Sequence, residues 1–249
     1  MSKVLYISLL ASACSLQADT SKIFEDDFEN RRTGTVLQDS ISSDGKAQWS
    51  FQGGDDGGVI LERNGDVLVC FRQNEAADSG ILSARLVSDP HSSIHVKDGV
   101  IEFDYYYLQA FNDNVSFMLN YRLETDLKNP NTGGVINGYQ LRLRALNSTN
   151  PDSIMWTIQK DPDLPDPVIQ TGSFYVSDLV VKGNDAPGEV VRVKLELDGE
   201  SQKLSLNGSI VASFKDATSN NAYEGAFNFI NNGSRARGIG QIVVSKKTK

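Results

Sequence analysis

The segment NGYQLRLRALN, residues 137–147, sets an amide and two guanidiniums in register, because Gln140, Arg142 and Arg144 alternate with Tyr139, Leu141, Leu143 and Ala145. Period two is the repeat of a β-strand, whose successive side chains point to opposite faces. One face is apolar, and the other carries planar donors and acceptors with no carboxylate to neutralise them. Two preceding segments read the same way. In GVIEFDYYYLQA (99–110), Ile101, Phe103, Tyr105 and Tyr107 form one side and Glu102, Asp104 and Tyr106 the other. In NVSFMLNYRLE (114–124), Val115, Phe117, Leu119, Tyr121 and Leu123 oppose Ser116, Met118, Asn120 and Arg122. Consecutive strands are often neighbours in a sheet. That rule predicts one sheet face presenting Asp104, Tyr106, Asn120, Arg122, Gln140, Arg142 and Arg144 together. Guanidinium forks and planar amides suit hydroxyls and carboxylates, and a tyrosine offers a flat apolar body with a phenol at its edge. A sugar chain in a concave groove fits that mixture; a plain solvated sheet surface is the alternative.

The elements that must position these residues are strands throughout. From Ile23 onward, short alternating segments are separated by Gly, Asn, Asp and Pro, which is the pattern of an all-β sandwich. No helical periodicity runs for the 10 to 12 residues typical of a helix. The alternation puts Tyr139, Leu141, Leu143, Phe117, Leu119, Phe103, Val193 and Leu195 in the core, and Trp156 with them, since it shares a side with Ile154 and Ile158. VVRVKLELDGESQKLSLNGSIVASF (190–214) reads as three strands with turns at DGES and NGS. Apolar matching favours a three-residue second loop, with Leu206 facing Ile210 and Leu204 facing Ala212, over a two-residue Asn-Gly turn that sets Leu206 against Ser209. The proline-rich KDPDLPDPVIQTG (160–172) reads as a long loop between strands.

Composition bounds the function. At 249 residues the chain can bury a sizeable core. A net charge of -8 and a sequence pI near 4.8 argue against a nucleic-acid partner, which needs basic patches. The start MSKVLYISLLASACSLQAD has a lysine, an apolar run and then small residues, which predicts a secretory signal over 1–18, too short to span a bilayer, followed by one domain over 19–249. The expected location is secreted or periplasmic, with no transmembrane segment after signal removal; LASAC also suggests a lipid anchor at Cys14. Cys70, in the apolar run DVLVCF, is then the remaining cysteine and reads as a small buried hydrophobe. His91 and His95 form no zinc motif and read as surface residues. No nucleophile elbow, phosphate-binding loop or dinucleotide fingerprint is present.

The chain resembles the concanavalin A-like lectin/glucanase jelly rolls, most of all the secreted 3-keto-disaccharide hydrolase domains, a family-16-like glycoside hydrolase group. The resemblance is carried by IFEDDFE (23–29), NGYQLRLRA (137–145), PGEVVRVKLELDGESQKLSLNGSIVASF (187–214) and GAFNFINNGSRARGIGQIVVS (225–245), in that order. It implies a two-sheet antiparallel jelly-roll sandwich and an oligo- or polysaccharide partner. Structural calcium is common in such folds, and GGDDGG (53–58) is acidic and flexible enough for it, or is a simple turn. The family's glutamate after Gly-Tyr is Gln140 here, and its histidine-glycine pair before the last strand is replaced by Asn231, Asn232 and Gly233. The E-x-D-x-x-E strand of family-16 glucanases is absent, and Glu25, Asp27 and Glu29 lie on an N-terminal edge strand. An amide cannot do a carboxylate's proton transfer or anionic metal ligation. The expectation is therefore a carbohydrate-recognition jelly roll. The alternatives are a carbohydrate-active enzyme, either a polysaccharide lyase on a uronate-containing glycan or a glycoside hydrolase, and a structural or adhesion module.

Overall fold

The alternation becomes two stacked sheets. The structure is a computed structural model that describes residues 20–52, 58–63, 65–70, 80–107, 116–123, 138–147, 150–160, 168–176, 190–216, 225–232 and 237–248. Residues 1–18, where a signal segment is expected, with Cys14, and most of GGDDGG lie outside the described residues. In chain order the strands are β1 (Thr20–Asp26), β2 (Ala47–Gln52), β3 (Val59–Arg63), β4 (Asp66–Cys70), β5 (Gly80–Leu86), β6 (Asp89–Ser93), β7 (His95–Val96), β8 (Gly99–Tyr107) and β9 (Ser116–Leu123). They continue as β10 (Tyr139–Asn147), β11 (Asn150–Lys160), β12 (Val168–Tyr175), β13 (Val191–Asp198), β14 (Ser201–Leu206), β15 (Ser209–Lys215), β16 (Gly225–Asn232) and β17 (Arg237–Lys247).

An eight-stranded sheet runs β15-β14-β13-β8-β17-β4-β3, with β1 also pairing β17; a nine-stranded sheet runs β12-β11-β10-β9-β16-β5-β2, with β6 on β5 and β7 on β16. Every described pairing is antiparallel. Their inner faces share one core that contains all eight residues assigned to it from alternation, together with Trp156. Stacked sheets of this kind each keep one side for the core and leave the other for solvent or ligand.

The expectation that β8, β9 and β10 are neighbours fails. β8 lies between β13 and β17 in one sheet, and β9 and β10 lie side by side in the other. β8 and β9 thus belong to different sheets, and alternation reports which face a residue takes but not which sheet holds the strand. The second hairpin is also corrected. Asn207 and Gly208 form a two-residue turn with φ of 46° and 77°, and Leu206 faces Ser209. Positive φ at both central positions is what a type I′ turn requires, and Asn-Gly supplies it at little cost. A bulge at Val211 then restores the apolar pairing of Leu204 with Ala212, leaving Ile210 exposed.

Asp26 anchors the N-terminal end of the core, although only its acidic neighbours stand out in the sequence. Its carboxylate is fully buried and accepts Arg31 Nη1 at 2.7 Å and Nη2 at 2.9 Å, Trp49 Nε1 at 2.6 Å, and the backbone N–H groups of Phe28 and Ser43. A bidentate guanidinium and an indole donor make the burial of this charge tolerable. Cys70 is buried as expected, in a small outer cluster with Leu68 and Tyr106.

Candidate functional site

Because β8 and β9 belong to different sheets, the seven candidate residues divide among three environments. Asp104 lies on the outer face of the eight-stranded sheet, where Arg192 Nη1 donates to its Oδ1 at 3.0 Å and Arg192 Nη2 to Glu102 Oε2 at 3.2 Å. Lys194 bridges Glu102 and Glu196, and Lys203 pairs with Glu196. This face is a ladder of mutually neutralised charges. Tyr106 is on the same face but only 5% exposed, packed near Leu68 and Cys70. Burial, with the nearby carboxylates of Asp66 and Asp104, raises its phenol pKa. Neither residue shares a face with Gln140 or Arg142.

Arg122 is corrected for another reason. Its φ of 51° breaks the alternation of β9, so that Tyr121, Arg122 and Leu123 are all buried. The backbone there is hemmed in by Gly138 and Gly225: a Cβ on either would come within 2.7 Å and 2.5 Å of Arg122 backbone atoms. The guanidinium turns to the end of the sandwich, where Nη2 donates to the carbonyls of Lys97 at 3.1 Å and Gly199 at 2.7 Å and lies 3.7 Å from Asp98. Burial lowers its pKa. Arg122 thus ties β9 to the β7–β8 link and to the β13–β14 turn of the opposite sheet, and is part of the scaffold.

Asn120, Gln140, Arg142 and Arg144 remain on the outer face of the nine-stranded sheet. The register there aligns Gln159, Gln140, Asn120, Asn228, Ser83 and Ser50 directly across β11, β10, β9, β16, β5 and β2. Strands lie about 4.8 Å apart, so five intervals make a polar row roughly 24 Å long. Its amides are ordered by one another: Gln140 Nε2 donates to Asn120 Oδ1 at 2.9 Å, and Asn120 Nδ2 donates to Asn228 Oδ1 at 3.0 Å. The four amide residues of the row are between 0% and 7% exposed. Gln140 Oε1 and Gln159 Oε1 are both buried acceptors without a hydrogen-bond partner. An unpaired buried acceptor costs about 1–3 kcal/mol, so both are suited to receive a donor from a ligand.

The parallel row two residues along reads Thr171, Thr157, Arg142, Met118, Ile230 and Ile81. Met118, Ile230 and Ile81 form a buried apolar cluster on this outer face. Arg142 is half-buried, its Nε has no hydrogen-bond partner, and burial followed by the nearby Arg144 charge lowers its pKa. Arg144 is exposed, with Nη2 3.5 Å from Met155 Sδ. Tyr175, 67% exposed, lies on the same face at the β12 edge, in register with Ser153. A polar row beside an apolar one, with an aromatic at the rim, is the make-up of a ligand surface.

Asn228, Gln159, Ser83, Ser50 and Tyr175 are not singled out by sequence reasoning. Each alternates with core residues, Asn228 between Phe227 and Phe229 and Gln159 after Ile158. The signal is present, but sheet membership is needed to collect it. The two aligned rows contain no carboxylate, and among the described residues no group of three or more His, Cys, Asp or Glu is set to hold a metal ion. His91 and His95 are exposed.

No protein-family model matches the chain, and no curated protein does. Solved structures do. The chain is similar to the endo-beta-1,3-glucanase from Pyrococcus furiosus, with 11% identity and a TM-score of 0.58 over 93% of this chain and 96% of that one. It is similar to the laminarinase catalytic domain from Thermotoga maritima, with 11% identity and a TM-score of 0.57 over 93% and 100%. The laminarinase from Rhodothermus marinus matches at 10% identity and a TM-score of 0.56 over 94% and 100%. The sandwich therefore has the concanavalin A-like jelly-roll fold of these glucanases. At such identities the likeness speaks for fold alone.

Proposed function

We propose that this protein is a carbohydrate-recognition jelly roll that holds a glycan along the outer face of its nine-stranded sheet. The observation that carries the reading is the polar row from Gln159 to Ser50, in register across six strands and ordered by amide-to-amide hydrogen bonds. Hydroxyls both donate and accept, so a sugar chain laid along this face can bond the polar row and rest a ring on the exposed Tyr175. The likeness in fold to laminarinases and a beta-1,3-glucanase supports a polysaccharide as the partner. Export by residues 1–18 suits such a ligand.

Titration calorimetry against laminarin, mixed-linkage glucan and polygalacturonate tests this. At least one should bind. Gln159→Met removes an acceptor unpaired in the free protein, so it should weaken binding by about 0.5–1.5 kcal/mol, the net value of a neutral hydrogen bond, with little change in stability. Binding indifferent to both Gln159→Met and Tyr175→Ala would move the site off this face.

Catalysis is the second reading. Hydrolysis by paired carboxylates draws no support from the two aligned rows, which hold none. Lyase chemistry has Arg142, the amides and the Tyr175 phenol on one face in its favour, and a rise in absorbance at 235 nm on a uronate polymer would establish it.

A further inference from the structure

Three arginines of this sandwich are held by acidic partners or carbonyls. Arg31 has Asp26, Arg192 has Asp104 and Glu102, and Arg122 has two carbonyls with Asp98 nearby. Arg142 and Arg144 form no ion pair with any described residue, although they sit two positions apart on one face of one strand. The contrast with the opposite face is direct. There, each strand cation among Arg192, Lys194 and Lys203 meets a carboxylate on a neighbouring position. Here the cross-strand neighbours of Arg142 are Met118 and Thr157, which bring no charge at all. Gln140, 97% buried with an unpaired Oε1, borders the pair along the strand.

We propose that Arg142 and Arg144 form an anion subsite beside the polar row, so that the glycan bound on this face is an acidic one carrying a carboxylate or a sulfate ester. The inference rests on the glycan reading above and adds its substrate class. Two residues of extended strand separate Arg142 from Gln140 by about 7 Å, so one sugar unit and its charged substituent can meet an amide and a guanidinium together. The planar fork of arginine takes carboxylate or sulfate oxygens in pairs, which a lysine cannot reproduce. With a net charge of -8 the protein repels polyanions as a whole, so any acidic glycan that binds must be held by a local arrangement of this kind.

The test is calorimetry on the full chain with three probes: oligogalacturonate, a sulfated galactan oligosaccharide and a neutral laminari-oligosaccharide, each at low and high sodium chloride. The proposal expects one acidic probe to bind at least ten-fold more tightly than the neutral one, with the preference shrinking as salt rises. Which acidic probe wins distinguishes carboxylate from sulfate. Arg142→Ala should weaken the acidic probe about ten- to hundred-fold and the neutral probe little, and Arg142→Lys should recover only part. Arg144→Ala, at an exposed position, provides a variant that folds whatever Arg142 does for packing; it should lower the acidic preference too. Lys203→Ala, on the opposite face, should change nothing. Neutral binding as tight as acidic, or equal losses for both probes in Arg142→Ala and Arg144→Ala, overturns the anion subsite while leaving the glycan site standing. No binding of any of the three probes, nor of the glucans above, overturns both.

Discussion

Arg122 and Arg142 lie on paired strands, and their surroundings demand opposite outcomes from the same substitution. Arg122 is 1% exposed and donates to the carbonyls of Lys97 and Gly199. Arg122→Ala opens a cavity and leaves those acceptors unpaired, so it should destabilise the fold by about 3–5 kcal/mol. Arg142 is half-buried without such partners, and Arg142→Ala should cost no more than about 1 kcal/mol. Urea unfolding midpoints of the two variants check the contrast; equal losses would mean that Arg142 is also scaffold. Asp26 belongs with Arg122. Asp26→Ala strands Arg31 and the Trp49 indole donor, with an expected loss of about 3–5 kcal/mol visible in the tryptophan emission of the unfolding curve.

Turns and strands carry a different kind of information. The Asn207-Gly208 turn fixes the register of β14 with β15, and its second residue has φ of 77°. Gly208→Ala forces a side chain into the left-handed region and should cost about 1–2 kcal/mol by urea melt, whereas Asn207→Gly keeps the backbone at ease and loses only the acceptor of the Arg192 N–H, a cost of about 0.5–1.5 kcal/mol. Which residues face inward is legible in the amino-acid pattern itself, because Leu141, Leu143, Phe117 and Phe103 follow a strict period of two. Which strands are neighbours is not, since the change of sheet from β8 to β9 leaves no mark on periodicity. That single unknown joins Asp104 and Tyr106 to a face they do not share and hides Asn228 and Ser83 from it. Arg122 escapes for a local reason: a positive φ in a non-glycine residue flips the side chain while the sequence still alternates. The turn defeats apolar matching because a bulge reconciles Asn-Gly chemistry with the pairing of Leu204 and Ala212.

At the scale of the molecule, the two outer faces differ in their electrostatics, and acid should reveal it. A hydrogen bond from Lys22 lowers the pKa of Glu25; for Glu196, burial alone would raise it, but hydrogen bonds from Lys203 and Lys194 outweigh that and lower it. A carboxyl whose folded pKa lies below its ordinary value of 4.5 holds fewer protons folded than unfolded near that pH. Its contribution is therefore complete above about 4.5 and is lost as the pH falls through the folded value. Urea midpoints should hold between pH 6 and 5 and decline below about 4.5, with a shallower decline in the Glu25→Gln, Glu196→Gln double variant; a midpoint that rises on acidification would contradict the ladder.

The glycan face is tested most directly by following side-chain amides in ¹H–¹⁵N spectra while an oligosaccharide that binds the protein is added. The account predicts that the shifts gather on Gln159, Gln140, Asn120 and Asn228, one continuous line across four strands. Shifts confined to the Gln241 side chain and the backbone amides around Arg192 and Lys194, with the amide row unmoved, would contradict it and carry the site to the other sheet.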